Sequence, residues 1–485
     1  MSKFNSIGMD VVSRENLAGG KSYNTGFKQN LASVVLSSML KGDQYYQSDA
    51  DRIRGVFDLV KGANEADLPF ILKAMVFVRN EGNLRSISHV MANAVAENFR
   101  GNPLIRRALN KTFVRVDDMI EVQALWNSRH KGNGKSEMVP NAIRRAFKDT
   151  LETKFDAYQL KKYANEGSAV KLRDIVQLAH PKGRYELFKQ VIEGTLPAIE
   201  TMQVKLSSGA NAGVAFKELL ATKKLGYMAA IKNIRNAVEN GLDAEGLQLW
   251  IDYITNPKAV KNSRMLPFRY LDAWKVMKDL DIDAFVKKDI KRALEKAFAL
   301  SAENTGLYNE NEKVALILDE SGSMSGFPFE TGKVLSAATA LNMNADRSVF
   351  YTFDSGCKQQ DIDTIIKSPF DWIAKYSPEG GATYFEAPFK KLIKSKTFVD
   401  KIIIFTDMQL YGAGDFTAYL NQYKLISPNV KVLFWNLQGY GTGTPPQLKD
   451  SVMEVSGYSD ALLDVVAKIW DNPNYLIDTI DAVEL

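Results

Sequence analysis

The sequence predicts a multidomain chain: an all-α array of HEAT-like helical repeats over residues 1–300, then a doubly wound α/β domain over residues 301–485. Three observations carry this expectation. Amphipathic helical stripes follow one another through the first part with no convincing strand, and continuous apolar runs alternate with helical segments in the second. The charge also changes sign at the border. Residues 301–485 hold 15 Lys or Arg against 24 Asp or Glu, which leaves a surplus of 14 positive charges on residues 1–300 out of a total of +5.

Taken in order, the first elements are helices. In Arg85 to Phe99 the apolar residues Ile87, Val90, Met91, Ala94 and Val95 recur at helical spacing, as do Val286, Ile290, Ala293, Leu294 and Ala297 in Phe285 to Phe298. Each stripe needs a neighbour to bury it, and helices stacked in pairs are the usual solution. No fixed-period repeat is found, so irregular pairs are expected. Beyond residue 301 the expected order is a strand over Lys313 to Asp319, a helix over Glu330 to Asn344 and a strand over Ser348 to Phe353. There follow a helix over Glu386 to Lys394, a strand over Lys401 to Thr406, a helix over Phe416 to Leu425, a strand over Val430 to Asn436 and a helix over Asp460 to Trp470. Strands that read as unbroken apolar runs belong to a sheet covered on both faces.

The first of these strands leads into LILDESGSMSG, residues 316 to 326, where Asp319, Ser321 and Ser323 stand at alternate positions. Such a loop leaves the C-terminal end of a strand, where open α/β sheets bind ligands. One carboxylate and two hydroxyls suit a hard cation such as Mg²⁺, which takes oxygen ligands and keeps room for water or a partner's oxygen. Thr383, after Gly380 and Gly381, and Asp407, at the end of the Lys401 to Thr406 strand, supply two more oxygen donors in later loops. Together these segments resemble the metal-ion-dependent adhesion site of von Willebrand factor A domains. That resemblance implies a divalent cation, expected to be Mg²⁺, held by Asp319, Ser321, Ser323, Thr383 and Asp407.

Composition excludes several classes. With 45% hydrophobic and 25% charged residues the chain is of ordinary globular type, and 485 residues suffice for two or more domains. The N-terminal stretch has no apolar signal region and no run approaches membrane-spanning length, so a cytoplasmic protein without a membrane partner is expected. A single cysteine, Cys357, excludes an internal disulfide, and with only three histidines zinc chemistry is not expected. Cys357 reads as a small, partly buried thiol after a strand.

The basic surplus suggests a polyanionic partner, since each Lys or Arg on a phosphate can release condensed counterions. Four segments concentrate it. Residues 68–93 pair two helices across a turn that places Arg79, Asn80 and Arg85 near one helix end. Residues 170–184 carry Lys171, Arg173, His180, Lys182 and Arg184 in and just beyond a helix ended by Pro181. GYMAAIKNIRN offers Lys232, Asn233 and Arg235, and SRMLPFRYLDAW offers Arg264 and Arg269 beside aromatics.

RNEGNLRSISHV, FDAYQLKKY, KLRDIVQLAHPKG and SRMLPFRYLDAW, in this order and followed by the metal-type loops, resemble the Ro autoantigen family, in which a TROVE module precedes a von Willebrand factor A module. The resemblance covers nearly the whole chain. It implies a ring of helical repeats whose basic outer surface binds small noncoding Y RNAs and whose central hole admits single-stranded ends of misfolded RNAs. It also implies RNA quality control alongside an exoribonuclease or another protein met at the metal site, and a monomer is expected. His180 matches a family RNA contact, with Arg173 and Lys171 beside it, although Gln177 stands where several relatives place a basic residue. From the residues alone His180 also reads as a helix-end histidine, and Arg79, Arg85 and Arg235 read equally as solvated or internally paired charges. His89 is expected to be packed, and His130 to lie in a flexible basic loop. The pieces of RNA hydrolysis are not seen in the basic half, so a binding protein is expected instead of an enzyme. The alternative is a metal-dependent protein-binding adaptor that acts through the second domain.

Overall fold

The computed structural model describes residues 13–15, 21–23, 26–38, 47–132, 135–136, 138–164, 167–197, 211–265, 267–302, 311–409, 416–438, 440, 452–457 and 460–485. The extreme N-terminal stretch read above for a signal segment, and the tip of the loop after His130, lie outside them. Contacts divide the chain into two compact units. One, the helical unit, comprises 26–43, 47–200 and 476–485; the other, the mixed unit, comprises 1–25, 44–46 and 201–475. The change from helix to sheet near residue 300 is therefore not where contacts thin out.

In the helical unit, the helices Leu68–Asn80, Pro103–Thr112, Asn141–Thr153 and Leu172–Ala179 pack in series, and Asp49–Lys61, Arg85–Asn98 and Val116–Arg129 form a second series. Pairs stacked in this way bury the apolar stripes that the sequence shows: Ile87, Val90, Met91, Ala94 and Val95 are all buried. Helix starts follow local chemistry. Ser48 accepts from the Asp51 amide at 3.1 Å while Asp51 accepts from the Ser48 amide at 3.1 Å, a reciprocal cap on Asp49–Lys61. The turn between Leu68–Asn80 and Arg85–Asn98 requires Gly82, where a Cβ would stand 2.8 Å from the Val78 carbonyl oxygen. The C-terminal segment returns to this unit: Leu476 and Ile480 are buried, and Lys28 pairs with Asp481 at 2.5 Å.

The first 300 residues do contain strands, contrary to expectation. β1 (Ser13–Glu15) pairs with β2 (Lys21–Tyr23), and β3 (Lys131–Gly132) with β4 (Lys135–Ser136), both antiparallel. They are two- and three-residue ribbons, too short to register as periodic patterns.

In the mixed unit, the helices from Ala212–Ala221 to Ala284–Ala302 accompany a six-stranded sheet. Its strands are β5 (Val314–Asp319), β6 (Val349–Phe353), β7 (Cys357–Gln360), β8 (Lys401–Thr406), β9 (Lys431–Asn436) and β10 (Val452–Ser456), in the order β10-β9-β8-β5-β6-β7. All neighbours are parallel except β6 and β7. The doubly wound fold is as expected, with two strands and two short helices added. β7 is a polar hairpin edge, β10 is only half apolar, and Ile362–Lys367 and Pro369–Lys375 are too short to show a stripe. The long helix after β5 is Phe327–Ala340, three residues earlier than expected, because Pro328 suits a first helical turn. Residues of β5, β8 and β9 fill a core with Phe353, Phe385, Phe389 and Phe416, each large side chain contributing about 1.5–3 kcal/mol on burial. The helix Ala284–Ala302 joins this unit through Phe298, stacked edge-on against Phe370 at 5.5 Å, and through Lys291, 2.7 Å from Asp371. Among the described residues no helix is long and apolar enough to cross a membrane.

Candidate metal centre and nucleic-acid interface

Chain order reverses across β5, which has β6 on one side and β8 on the other. At such a switch point the loops after neighbouring strands diverge and leave a crevice. β5 ends on Asp319 and β8 on Thr406, so Asp319 and Asp407 arrive there from adjacent strands. Both carboxylates are buried, as are Ser321, Ser323 and Thr383. The Ser321 amide donates to Asp319 Oδ1 at 2.9 Å, the Thr406 hydroxyl donates to Asp319 Oδ2 at 2.7 Å, and the Ser321 and Ser323 hydroxyls lie 3.3 Å apart. The Gly322 amide donates to the Gly381 carbonyl at 3.0 Å, which docks the loop bearing Thr383 onto the first loop. A Cβ at Gly381 would lie 2.7 Å from Ser355 Oγ and 2.9 Å from Asp354 Oδ2, so a side chain there would displace both groups.

Asp407 accepts from the Gln409 amide at 3.1 Å through Oδ1, and the nearby Ser323 hydroxyl favours its charged form. Its Oδ2 is buried without a hydrogen-bond partner among the described residues. Burial, reinforced by the nearby Asp319 charge, pushes the Asp407 carboxyl above the ordinary carboxylate range; burial pushes Asp319 up as well. Two carboxylates that resist ionising together, with the Ser321 and Ser323 hydroxyls on the same cup and buried Thr383 on the loop docked to it, offer an all-oxygen donor set in which a hard divalent cation would relieve the repulsion. The residues present therefore fit such an ion. The sequence reading missed Thr406, which orients Asp319, and Gln409, which orients Asp407; the adjacency of Thr406 to the strand-end Asp407 was the available signal. It also passed over Glu320, buried beside the cup and accepting from the Tyr376 hydroxyl at 2.5 Å.

The basic candidates separate into three kinds. Arg79 is an internal residue: it is 4% exposed, and its guanidinium reaches Asp118 through Nε at 3.2 Å and Nη2 at 2.8 Å. His89 is packed as expected, with Nε2 at 2.9 Å from the same carboxylate. Arg85, half-buried, pairs with Asp117 and lies 3.6 Å from Asp118. Asn80 donates to the Lys111 carbonyl at 3.4 Å. These three candidates thus sit around one charge network that joins three helices, and for Arg79 the RNA assignment gives way to a structural one. Replacing Arg79 by Ala is expected to lower the melting temperature of the helical unit and to leave the salt dependence of RNA binding unchanged. A reduced salt slope with unaltered melting would reverse that assignment.

The second kind is the segment after Leu172–Ala179. His180 caps this helix in a left-handed conformation, φ 47° and ψ 57°, and Arg184 adopts another at φ 59°. Bulky residues rarely hold such angles without a surrounding reason. Glu152 supplies part of it, accepting from the Lys182 amide at 2.5 Å and the Gly183 amide at 3.1 Å. The tight path leaves His180 and Lys182 exposed, with no side-chain hydrogen bond or ion pair among the described residues. Tyr185, which the sequence reading did not single out, is 68% exposed next to them. Lys171 and Arg173 lie half-buried at the other end of the same helix, and each is engaged within the fold.

The third kind belongs to the mixed unit. Lys232 is exposed and has no ion pair among the described residues, Asn233 donates to the Ala229 carbonyl at 2.9 Å, and Arg235 pairs with Glu239 at 3.2 Å. Arg264, exposed, caps Pro257–Ser263 with φ 47°. His130 departs from expectation: it closes the helix Val116–Arg129 and stacks on Trp126 with ring centroids 3.8 Å apart. Cys357 is half-buried at the start of β7, and burial pushes its thiol up to about 11, out of the range of a ready nucleophile.

The chain is 20% identical over 328 residues to telomerase protein component 1 of Rattus norvegicus, and 21% identical over 323 residues to that of Mus musculus. These matches take in 51% and 50% of this chain but only 12% of each relative, so the chain spans a small part of their length. The crystal structure of the Deinococcus radiodurans RO (RSR) protein superimposes with a TM-score of 0.55 at 18% identity, over 92% of this chain and all of that one, a likeness of fold. The family model of the TROVE domain matches residues 26–201 and 194–320. These segments make up more than half of the sequence, and the chain belongs to the TROVE domain family.

Proposed function

We propose that this chain is a Ro-type RNA-binding protein that holds small noncoding RNAs and the single-stranded ends of misfolded RNAs, without chemical turnover. TROVE family membership supports the class. The observation that carries the reading to particular residues is the strained loop that leaves His180, Lys182 and Tyr185 exposed, with no ion pair to their side chains among the described residues. A cation, an imidazole and an exposed ring side by side suit phosphate contact and base stacking, which read shape and free strands more than sequence. Replacing His180, Lys182 and Tyr185 together by Ala is expected to weaken binding of a short single-stranded RNA by tenfold or more, since one lost base stack alone is worth about 1–3 kcal/mol. Anisotropy titrations check this, and equal affinity of variant and parent would remove the loop from the interface. The same labelled RNA, incubated with the chain and Mg²⁺, is expected to remain intact.

A second role rests on the orphaned Oδ2 of Asp407 in a cup of hard oxygens. Asp319, Ser321, Ser323, Thr383 and Asp407 would hold a divalent cation, Mg²⁺ by donor chemistry, and the cation would supply an open coordination position for a carboxylate of a protein partner such as an exoribonuclease. The two roles separate by mutation: Asp319→Ala should end cation-dependent protein capture and leave RNA affinity as it was. If RNA affinity is nil in the parent chain while capture persists, the adaptor reading stands alone.

A further inference from the structure

On the helix whose Glu152 holds the 180–185 loop, and towards its other end, the helical unit contains a cavity of about 860 Å³ lined largely by the N-terminal turns of the helices Pro103–Thr112 and Asn141–Thr153. Four arginines line it, Arg100, Arg106, Arg107 and Arg145, against one carboxylate, Asp149. Arg106 is already matched, with Nε and Nη2 each 2.6 Å from Asp149 oxygens. Arg100, Arg107 and Arg145 are exposed and make no ion pair or hydrogen bond among the described residues.

Their position is unfavourable to the fold taken alone. A helix N-terminus carries about half a positive charge and favours acidic residues, yet neither helix has an acidic residue in its first turn. Asn141–Thr153 begins after Pro140 with no side-chain cap, which leaves first-turn amides open. Three guanidinium groups without acids, gathered beside two helix starts that carry no first-turn acid, are a local conflict, and natural sequences keep such conflicts where a ligand resolves them. The ligand that resolves this one is an anion with several oxygens. Apolar surface from Pro140 and from Met138, 74% exposed, adjoins the guanidinium groups. Charge beside apolar surface matches a nucleotide better than a free inorganic ion.

We infer that this cavity binds phosphates of a nucleotide chain, with a base or ribose against Met138 and Pro140. The inference rests on the RNA-binding reading and adds to it a second point of contact. Its test compares the full chain with the variant R100Q/R107Q/R145Q and with a charge-matched control, K61Q/K162Q/K189Q, on a short single-stranded RNA lacking terminal phosphates, across a salt titration. Losing three phosphate contacts is expected to reduce the slope of log affinity against log salt by about 2, at about 0.7 for each single-strand contact; the control is expected to keep nearly the parent slope. In parallel, inorganic pyrophosphate is expected to raise the melting temperature of the parent chain and not that of the arginine variant. Equal slopes in the two triple variants, with RNA bound by the parent, overturn the cavity and leave the RNA reading standing. No RNA binding by the parent, with pyrophosphate stabilisation lost in the arginine variant, overturns the RNA reading and reduces the cavity to a site for small phosphates. If only a 5′-phosphorylated form of the RNA responds to the arginine substitutions, the chain's internal phosphates are not the ligand.

Discussion

Replacing Asp118 by Asn is expected to remove about 3–5 kcal/mol from the stability of the helical unit, the loss typical of breaking a buried ion pair from one side. Asp118 is fully buried at the start of the helix Val116–Arg129, and its carboxylate accepts from Arg79 on Leu68–Asn80, from His89 on Arg85–Asn98, and from the amides of Val114 and Arg115 at 3.0 and 2.8 Å. Asn keeps the shape but turns one acceptor into a donor aimed at other donors, and it leaves the Arg79 cation buried and unmatched. Burial alone would lift the Asp118 carboxyl; hydrogen bonds from His89 and Arg79, with the Arg79 charge, hold it far below the usual carboxylate range instead. A depressed folded-state value means stability that is fully present above the unfolded value, about 3.9, and is lost as pH falls beneath it. Urea unfolding of the parent should therefore weaken steeply on acidification, and the variant should start lower and show a shallower acid slope. A variant that unfolds with the parent's midpoint at neutral pH would show that Arg79 finds another partner.

The same network marks how far the sequence was legible. The apolar run ending in Arg79 identifies a helix, and its spacing says which residues are inside, but an arginine at the end of such a run looks identical whether it faces solvent or a carboxylate. Its partner is 39 residues away on another helix, and nothing local announces it. The doubly wound sheet was readable because β5, β6, β8 and β9 are unbroken apolar runs with both faces covered. β7, Cys-Lys-Gln-Gln, has no such pattern because it pairs on one edge only.

The two candidate sites differ for the same reason. Asp319, Ser321 and Ser323 are local to one loop, and strand-end position alone places Asp407, so the cup could be assembled from spacing. The exposure of His180 could not be read that way: it depends on a left-handed cap and on Glu152, which holds the next two amides from another helix. The arginine-lined cavity was invisible to the sequence reading because it forms from two helix starts separated by a whole helix–turn–helix, and charge counts do not reveal which arginines lack acids.

Asp407→Asn is expected to act in opposite directions with and without a divalent cation. With chelator present, the parent buries two carboxylates that repel each other, one with an oxygen that has no hydrogen-bond partner among the described residues. Asn at this position removes the charge repulsion with Asp319 and replaces one carboxylate oxygen by an amide donor. Relief of a buried unsatisfied acceptor is worth about 1–3 kcal/mol, so the metal-free variant should melt above the metal-free parent. The pH response follows with its sign reversed from Asp118. Folded-state values raised above the unfolded ones make the metal-free parent lose stability as pH rises through and beyond the ordinary carboxylate range, and the variant should lose less. With Mg²⁺ at a hundredfold excess over its dissociation constant, the parent should gain about 2.7 kcal/mol by mass action, whereas the variant, lacking one anionic ligand, should gain little. Crossing melting curves in chelator and in Mg²⁺ are thus the signature of a cation site. Parallel curves, or a metal-free variant less stable than its parent, would instead make the cup a hydrogen-bonded turn in which Asp407 is held by Gln409 and Ser323 alone.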